Sequence, residues 1–178
     1  MGTKFETFPH ERLPGAALSL PAEAIETAAY SRRVDGFGTN PFPMSKKIFI
    51  VEPHPVHRES YTFLIDRQID LAISGVVASM DQAERALEVV TPDLIALTLT
   101  PPAVDNGLQR MQALRDAHPS LPILVVSACD ATVCADAVLQ AGAQAYLPRE
   151  RVPFDLISSI RQILATASSA RSSFSAAA

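Results

Sequence analysis

From Lys46 onward the chain repeats one pattern five times: a short apolar run of strand length, then a longer stretch whose apolar side chains recur at helical spacing. Alternation of this kind marks βα units wound around a parallel sheet. Strands are expected at Lys47–Val51, Leu71–Val76, Leu94–Leu99, Ile123–Ser127 and Gln144–Leu147. Each is apolar almost throughout, because a parallel strand in such a fold is covered on both faces. Helices are expected at Val56–Asp66, burying Val56, Tyr61, Leu64 and Ile65, and at Asp81–Val90, Gly107–His118, Ala131–Ala141 and Pro153–Ala165. Pro119 stops the third, Gly142 suits a left-handed cap behind the fourth, and Pro153 is tolerated in the first turn of the fifth. Right-handed crossovers leave few ways to stack five such units. The economical one is an α/β, flavodoxin-like fold: a five-stranded parallel sheet in the order 2-1-3-4-5 with helices on both faces.

The flanks read differently. Residues 1–45 carry prolines at 9, 14, 21, 41 and 43 and glycines at 2, 15, 36 and 38, which breaks any long element and predicts a flexible arm. Pro21–Arg33 within it has the charge order of a short helix, acidic early and basic late. Met44, followed by Ser-Lys-Lys and a strand, is also a plausible start, in which case the first 43 residues belong to an over-extended gene reading. Residues 46–165 form the folded domain, and the Ser/Ala-rich residues 166–178 are expected to be disordered.

With 178 residues, 48% of them hydrophobic, the chain supports one core and not two. A formal net charge of −4 provides no basic field for phosphates, so direct nucleic-acid binding by the folded part is not expected. No apolar run has the length of a membrane span or the form of a signal peptide, and a cytoplasmic location is expected. Two cysteines, Cys129 and Cys134, are too few for a disulfide framework. They are either a redox pair, if both are exposed, or small buried hydrophobes.

In this fold the functional crevice lies at the carboxyl ends of the strands. The residues there are V-E-P-H-P-V-H-R-E (Val51–Glu59), T-L-T-P-P (Thr98–Pro102), S-A-C-D (Ser127–Asp130) and Y-L-P-R-E (Tyr146–Glu150). Together with P-D-L-I-A-L before Thr98, H-P-S-L-P-I-L-V-V-S at strand four and A-G-A-Q-A-Y-L at strand five, they make Lys46–Leu164 resemble the CheY-like receiver domain of response regulators, in particular the NarL/LuxR-type class.

The resemblance implies a pocket of two acidic residues after strand one, a phosphoryl-accepting Asp after strand three, a hydroxyl after strand four and a Lys after strand five. The matching positions hold Glu52 and Pro53, Thr98, Ser127 and Arg149. Three of the five therefore differ, and the loop behind Thr98 is one residue longer. Mg²⁺ requires hard oxygen ligands, and only Glu52 supplies a carboxylate. Thr98 is a neutral hydroxyl with no evident general base, so acyl-phosphate formation is not expected there. Arg149 either reaches across to pair with Glu52, its planar fork matching a carboxylate, or stands as a solvated cation. Ser127 and Tyr146 sit where the family couples its pocket to an outward face. They either preserve that two-state element or simply pack well.

The expected protein is thus a phosphorylation-independent receiver-like module, not an enzyme, without cofactor or metal. Its partners are expected to be proteins: a histidine kinase, an intact response regulator or a second copy of itself, with no membrane. The candidate contact face, by the same resemblance, is helix four, strand five and helix five, including Asp136, Gln140, Gln144, Arg151 and Arg161. His54 and His57 follow Glu52 closely, but the family's own D-D-H-P habit accounts for His54 without a metal. A different class of reading is a small-ligand, nucleotide-type site at the same crevice, against which stands Glu-Pro-His-Pro where a phosphate loop needs glycines. Thr166–Ala178 follow helix five, and a DNA-reading domain of the kind that follows NarL/LuxR-type receivers is not expected.

Overall fold

The computed structural model describes residues 45–100 and 104–175. The expected arm, its Pro21–Arg33 helix and the loop residues Pro101 and Pro102 lie outside them. Five parallel strands, β1 (Lys46–Val51), β2 (Leu71–Val77), β3 (Leu94–Leu99), β4 (Ile123–Ser127) and β5 (Ala145–Pro148), form one sheet in the order β2-β1-β3-β4-β5. The expected order is therefore the observed one. Between and after them come α1 (Pro55–Asp66), α2 (Met80–Leu87), α3 (Val104–Ala117), α4 (Ala131–Gln140), a 3₁₀ turn at Arg149–Arg151, and α5 (Val152–Ser175).

Side-chain alternation along each strand divides the interior into two layers. Ile48, Ile50, Ala96, Leu124, Val126 and Leu147 point toward α1 and α5, where they meet Tyr61, Ile65, Leu156 and Ile160. Phe49, Val51, Ile95, Leu97, Leu99 and Val125 point the other way, toward Ala83, Leu87, Met111, Leu114 and Val138 of α2, α3 and α4. Every residue of β3 and β4 is buried, as a central parallel strand requires.

Local chemistry explains the element ends. Ser79 caps α2 by accepting from the Gln82 N–H, and the Gln82 side chain accepts in return from the Ala78 N–H. Asp130 caps α4 through the Thr132 N–H at 2.8 Å. Gly142 stands behind α4 at φ 102°, the left-handed conformation its position predicts. In β2 the register slips by one residue opposite Ile48 and Phe49; Ser74 bulges there and donates its hydroxyl to the Ile48 carbonyl. Gly75 then lies opposite Phe49, and a Cβ on it would come within 2.4 Å of the ring.

Four expectations need correction. Val56 is 60% exposed, because the first turn of α1 stands beyond the end of the sheet. α2 stops at Leu87, three residues early, although the Val90 N–H still reaches the Ala86 carbonyl. α3 begins at Val104 and carries Gly107 inside it, where a Cβ would come 2.8 Å from Leu99; the glycine permits close approach and does not open the helix. α5 continues to Ser175 through the stretch expected to be disordered from residue 166. That stretch is Ala- and Ser-rich with neither Gly nor Pro, so low hydrophobicity was misread as an end when nothing in it breaks a helix.

Candidate functional site

The carboxyl ends of the strands bring the singled-out residues to one edge of the sheet but onto two sides of it. Glu52 and Thr98 continue the alternation of Ile48, Ile50 and Ala96, so they face α1 and α5. Ser127 follows Val125 toward α2, α3 and α4, and Tyr146 packs on that same side.

On the first side Glu52 is 1% exposed, and both carboxylate oxygens are taken. Oε1 accepts from the His54 backbone N–H at 2.8 Å and Oε2 from the Thr98 hydroxyl at 2.7 Å. Buried hydrogen bonds to a carboxylate are the stronger kind, and they fix this side chain. Arg58 on α1 donates to the Glu52 and Pro53 carbonyls at 3.0 and 2.9 Å, pinning the β1–α1 turn, while Pro53 itself is exposed. His57 Nδ1 stands 3.8 Å from Glu52 Oε1, beyond hydrogen-bond range, with its ring between those of His54 and Tyr61.

Tyr61 comes from the apolar stripe of α1, yet its hydroxyl rises into this cluster without a hydrogen-bond partner. Burial pushes its pKa up to about 12, the Glu52 charge adds to the rise, and the Arg149 charge opposes it. Arg149, in the turn behind β5, does not pair with Glu52, nor is it a solvated cation: its Nε and Nη2 are buried and unpartnered. The Glu52 oxygens accept from His54 and Thr98, and the Arg149 charge is felt at Tyr61 instead. Tyr61 is the member that spacing alone did not reveal; the available signal was a phenol on an otherwise apolar face, whose oxygen must go somewhere polar.

On the second side, buried Ser127 accepts from the Cys129 N–H at 3.1 Å, and the Tyr146 hydroxyl donates to the Cys129 carbonyl. Burial raises the Tyr146 pKa above its ordinary value, and the Ser127 hydroxyl opposes the shift. Cys129 and Cys134 are joined by a disulfide, with Cα atoms 6.2 Å apart. They are therefore not the free buried cysteines of the second sequence reading. Cys129 is half-buried and Cys134 buried, which five residues of spacing across a helix start did not disclose.

The residues expected on an outward face are all exposed, but they do not form one patch. Arg161 pairs with Asp70 at 2.7 and 2.8 Å and with Gln68, so it lies on the α1 side of α5, away from α4. Gln144 is spent on structure: its side-chain Oε1 accepts from the Ile123 N–H at 2.6 Å and from Arg115 at 2.7 Å. Arg151 pairs with Asp155 one turn along. Asp136 and Gln140 remain on α4, beside Val133 and Leu139, whose apolar side chains are exposed.

Among the described residues no three His, Cys, Asp or Glu side chains gather as metal ligands, and no helix is long and apolar enough to cross a membrane. The described residues at the ends of β1 and β3 are a poor donor set for magnesium. Among them the carboxylate is that of Glu52, both of its oxygens accept hydrogen bonds, and its neighbours are a proline and a neutral hydroxyl.

The family profile described as the response regulator receiver domain matches residues 48–161. The nitrate/nitrite response regulator protein NarL of Escherichia coli K12 is 30% identical over 118 residues, which is 66% of this chain and 54% of that protein. The chain thus spans about half the length of the curated relatives it matches. A LuxR-family two-component response regulator from Aurantimonas sp. SI85-9A1 superposes with a TM-score of 0.63 at 29% identity, over 68% of this chain and 86% of the other. A CheY-like receiver domain protein from Methanospirillum hungatei JF-1 gives 0.62 at 18% identity, over 70% and 98%, a likeness of fold.

Proposed function

The chain belongs to the response regulator receiver domain family, and from that premise we propose that it is a receiver working without phosphorylation, a regulatory module that acts through protein contact. The observation that supports this most directly is the Thr98 hydroxyl donating to buried Glu52 at the end of β3. By the family resemblance this is the phosphoacceptor position. A carboxylate there attacks phosphorus as an anion, whereas the Thr98 oxygen needs a base to remove its proton. Among the described residues the carboxylate in contact is Glu52, which is held by two hydrogen bonds and would gain a buried proton on acting as that base. Without a fitting magnesium site, the charge on an incoming phosphoryl group also goes unneutralised. Glu52, Pro53, Thr98, Ser127 and Arg149 are read as a vestigial pocket with no catalytic role, and no cofactor is invoked.

Output then depends on a surface. The part of α4 that carries Asp136 and Gln140 beside exposed Val133 and Leu139, continued by Arg151 behind β5, is the face we assign to protein partners: a histidine kinase, an intact response regulator or a second copy of the chain. Direct contact with nucleic acid is not part of this reading. Residues 1–45 are read as an arm to the domain.

The test is phosphotransfer from acetyl phosphate with Mg²⁺, followed by intact mass and by the amide NMR signals of Thr98 and Ser127. No added phosphoryl mass and no Mg²⁺-dependent shift are expected. A phosphoryl adduct would overturn the proposal and direct attention to an acceptor other than Thr98.

A further inference from the structure

We infer that Cys129 and Cys134 form a reversible thiol–disulfide switch that sets the β4–α4 loop in response to low-molecular-weight disulfides. The bond closes the shortest path between the end of β4 and the first turns of α4, because Cys129 precedes the N-cap Asp130 and Cys134 lies one turn inside the helix. The same residue that supplies one sulfur also supplies both backbone groups that organise the loop. Its N–H donates to Ser127, and its carbonyl accepts from Tyr146. A change at the sulfur is thereby a change at the anchor of Tyr146, a half-buried ring on the side of the sheet that faces α2, α3 and α4. Nothing in this arrangement passes through Glu52 or Thr98, which face the opposite layer.

The chemistry balances as ordinary exchange. The half-buried Cys129 thiolate attacks one sulfur of a disulfide RS–SR, and RS⁻ leaves with the electron pair of the broken S–S bond. The Cys134 thiolate then attacks Cys129 Sγ in the mixed disulfide and expels the second RS⁻. The two protons lost by the cysteines are taken up by the two departing thiolates. The protein pair is oxidised by two electrons and the small disulfide reduced by two.

The inference deepens the proposed function, since it names an input for a receiver that phosphate does not drive. It rests on that reading only for its signalling meaning. The experiment therefore contains neither phosphodonor nor Mg²⁺, so its outcome and that of the phosphotransfer assay are independent. The full chain is equilibrated across mixtures of oxidised and reduced glutathione, and three signals are followed: the mass of two hydrogens, hydrogen exchange at residues 128–135, and the Tyr146 ring resonances. The pair is expected to titrate reversibly. Removing so short a covalent loop speeds exchange at its amides by about tenfold or more, and the Tyr146 resonances move with the same midpoint. C129S, at a half-buried position, is expected to give the reduced-form spectrum at every glutathione ratio, with a circular dichroism spectrum like that of the parent. Thiols that stay unoxidised across the series would overturn the inference, and so would oxidised and reduced forms with identical exchange and identical Tyr146 signals. The wild-type titration decides the matter whether or not the variant folds.

Discussion

Among the described residues the Thr98 hydroxyl supplies one of two hydrogen bonds to a buried carboxylate, and this sets the cost of replacing it. T98V preserves shape but strands Glu52 Oε2, and a loss of about 1–3 kcal/mol in urea-unfolding stability is expected. T98S keeps the donor and is expected to lose clearly less. Tyr61 contributes to the alkaline limit. Its folded pKa is raised to about 12 from the ordinary 10.0, chiefly by burial, so the stability that goes with a neutral phenol is complete below pH 10. Above that the unfolded chain releases the proton first, and stability falls as the pH approaches 12. Y61F is expected to flatten this fall relative to wild type, measured by urea unfolding at pH 8.5 and at pH 11. At this scale the sequence revealed which residues reach the crevice but not how they pair. Glu52, Thr98, Ser127 and Arg149, singled out by the family resemblance, lie at or just past strand ends in the fold. That Thr98 and His54 claim the Glu52 oxygens, leaving the Arg149 charge to be felt at Tyr61, depends on side-chain reach across elements far apart in the chain.

Elements that are governed by burial were the easiest to read. β3 and β4 have the bounds expected for them, because a strand covered on both faces is a continuous apolar run with clear ends. Helix ends were less legible, since Gly and Pro carry more than one meaning. Gly142 is a left-handed cap, as expected, but Gly107 is a point of close approach within α3. Gly75 has a third meaning, as the partner of Phe49 beside the Ser74 bulge. G75A drives a methyl group into that ring and is expected to cost about 1–3 kcal/mol. Combined with F49L the cost is expected to be smaller than the sum of the two single changes, because the ring that creates the conflict is gone. A double-mutant cycle by chemical denaturation measures this.

For the molecule as a whole, the two core layers share one sheet, which predicts a single cooperative unit. A fragment of residues 45–178 is expected to unfold in one transition, with coincident midpoints by circular dichroism and by tyrosine fluorescence; a second transition would show that the two layers unfold separately. The partner surface is then a matter of which exterior is free to associate, and the two margins of the sheet restrict the answer. β5 is four residues long and ends in Pro148, which lacks an N–H, while β2 at the other margin is interrupted by its bulge at Ser74. Both are the devices by which proteins deter an incoming strand. Association by lengthening the sheet, whether into a paired dimer or into an aggregate, is blunted at both ends, and copies or partners are left to meet through helices.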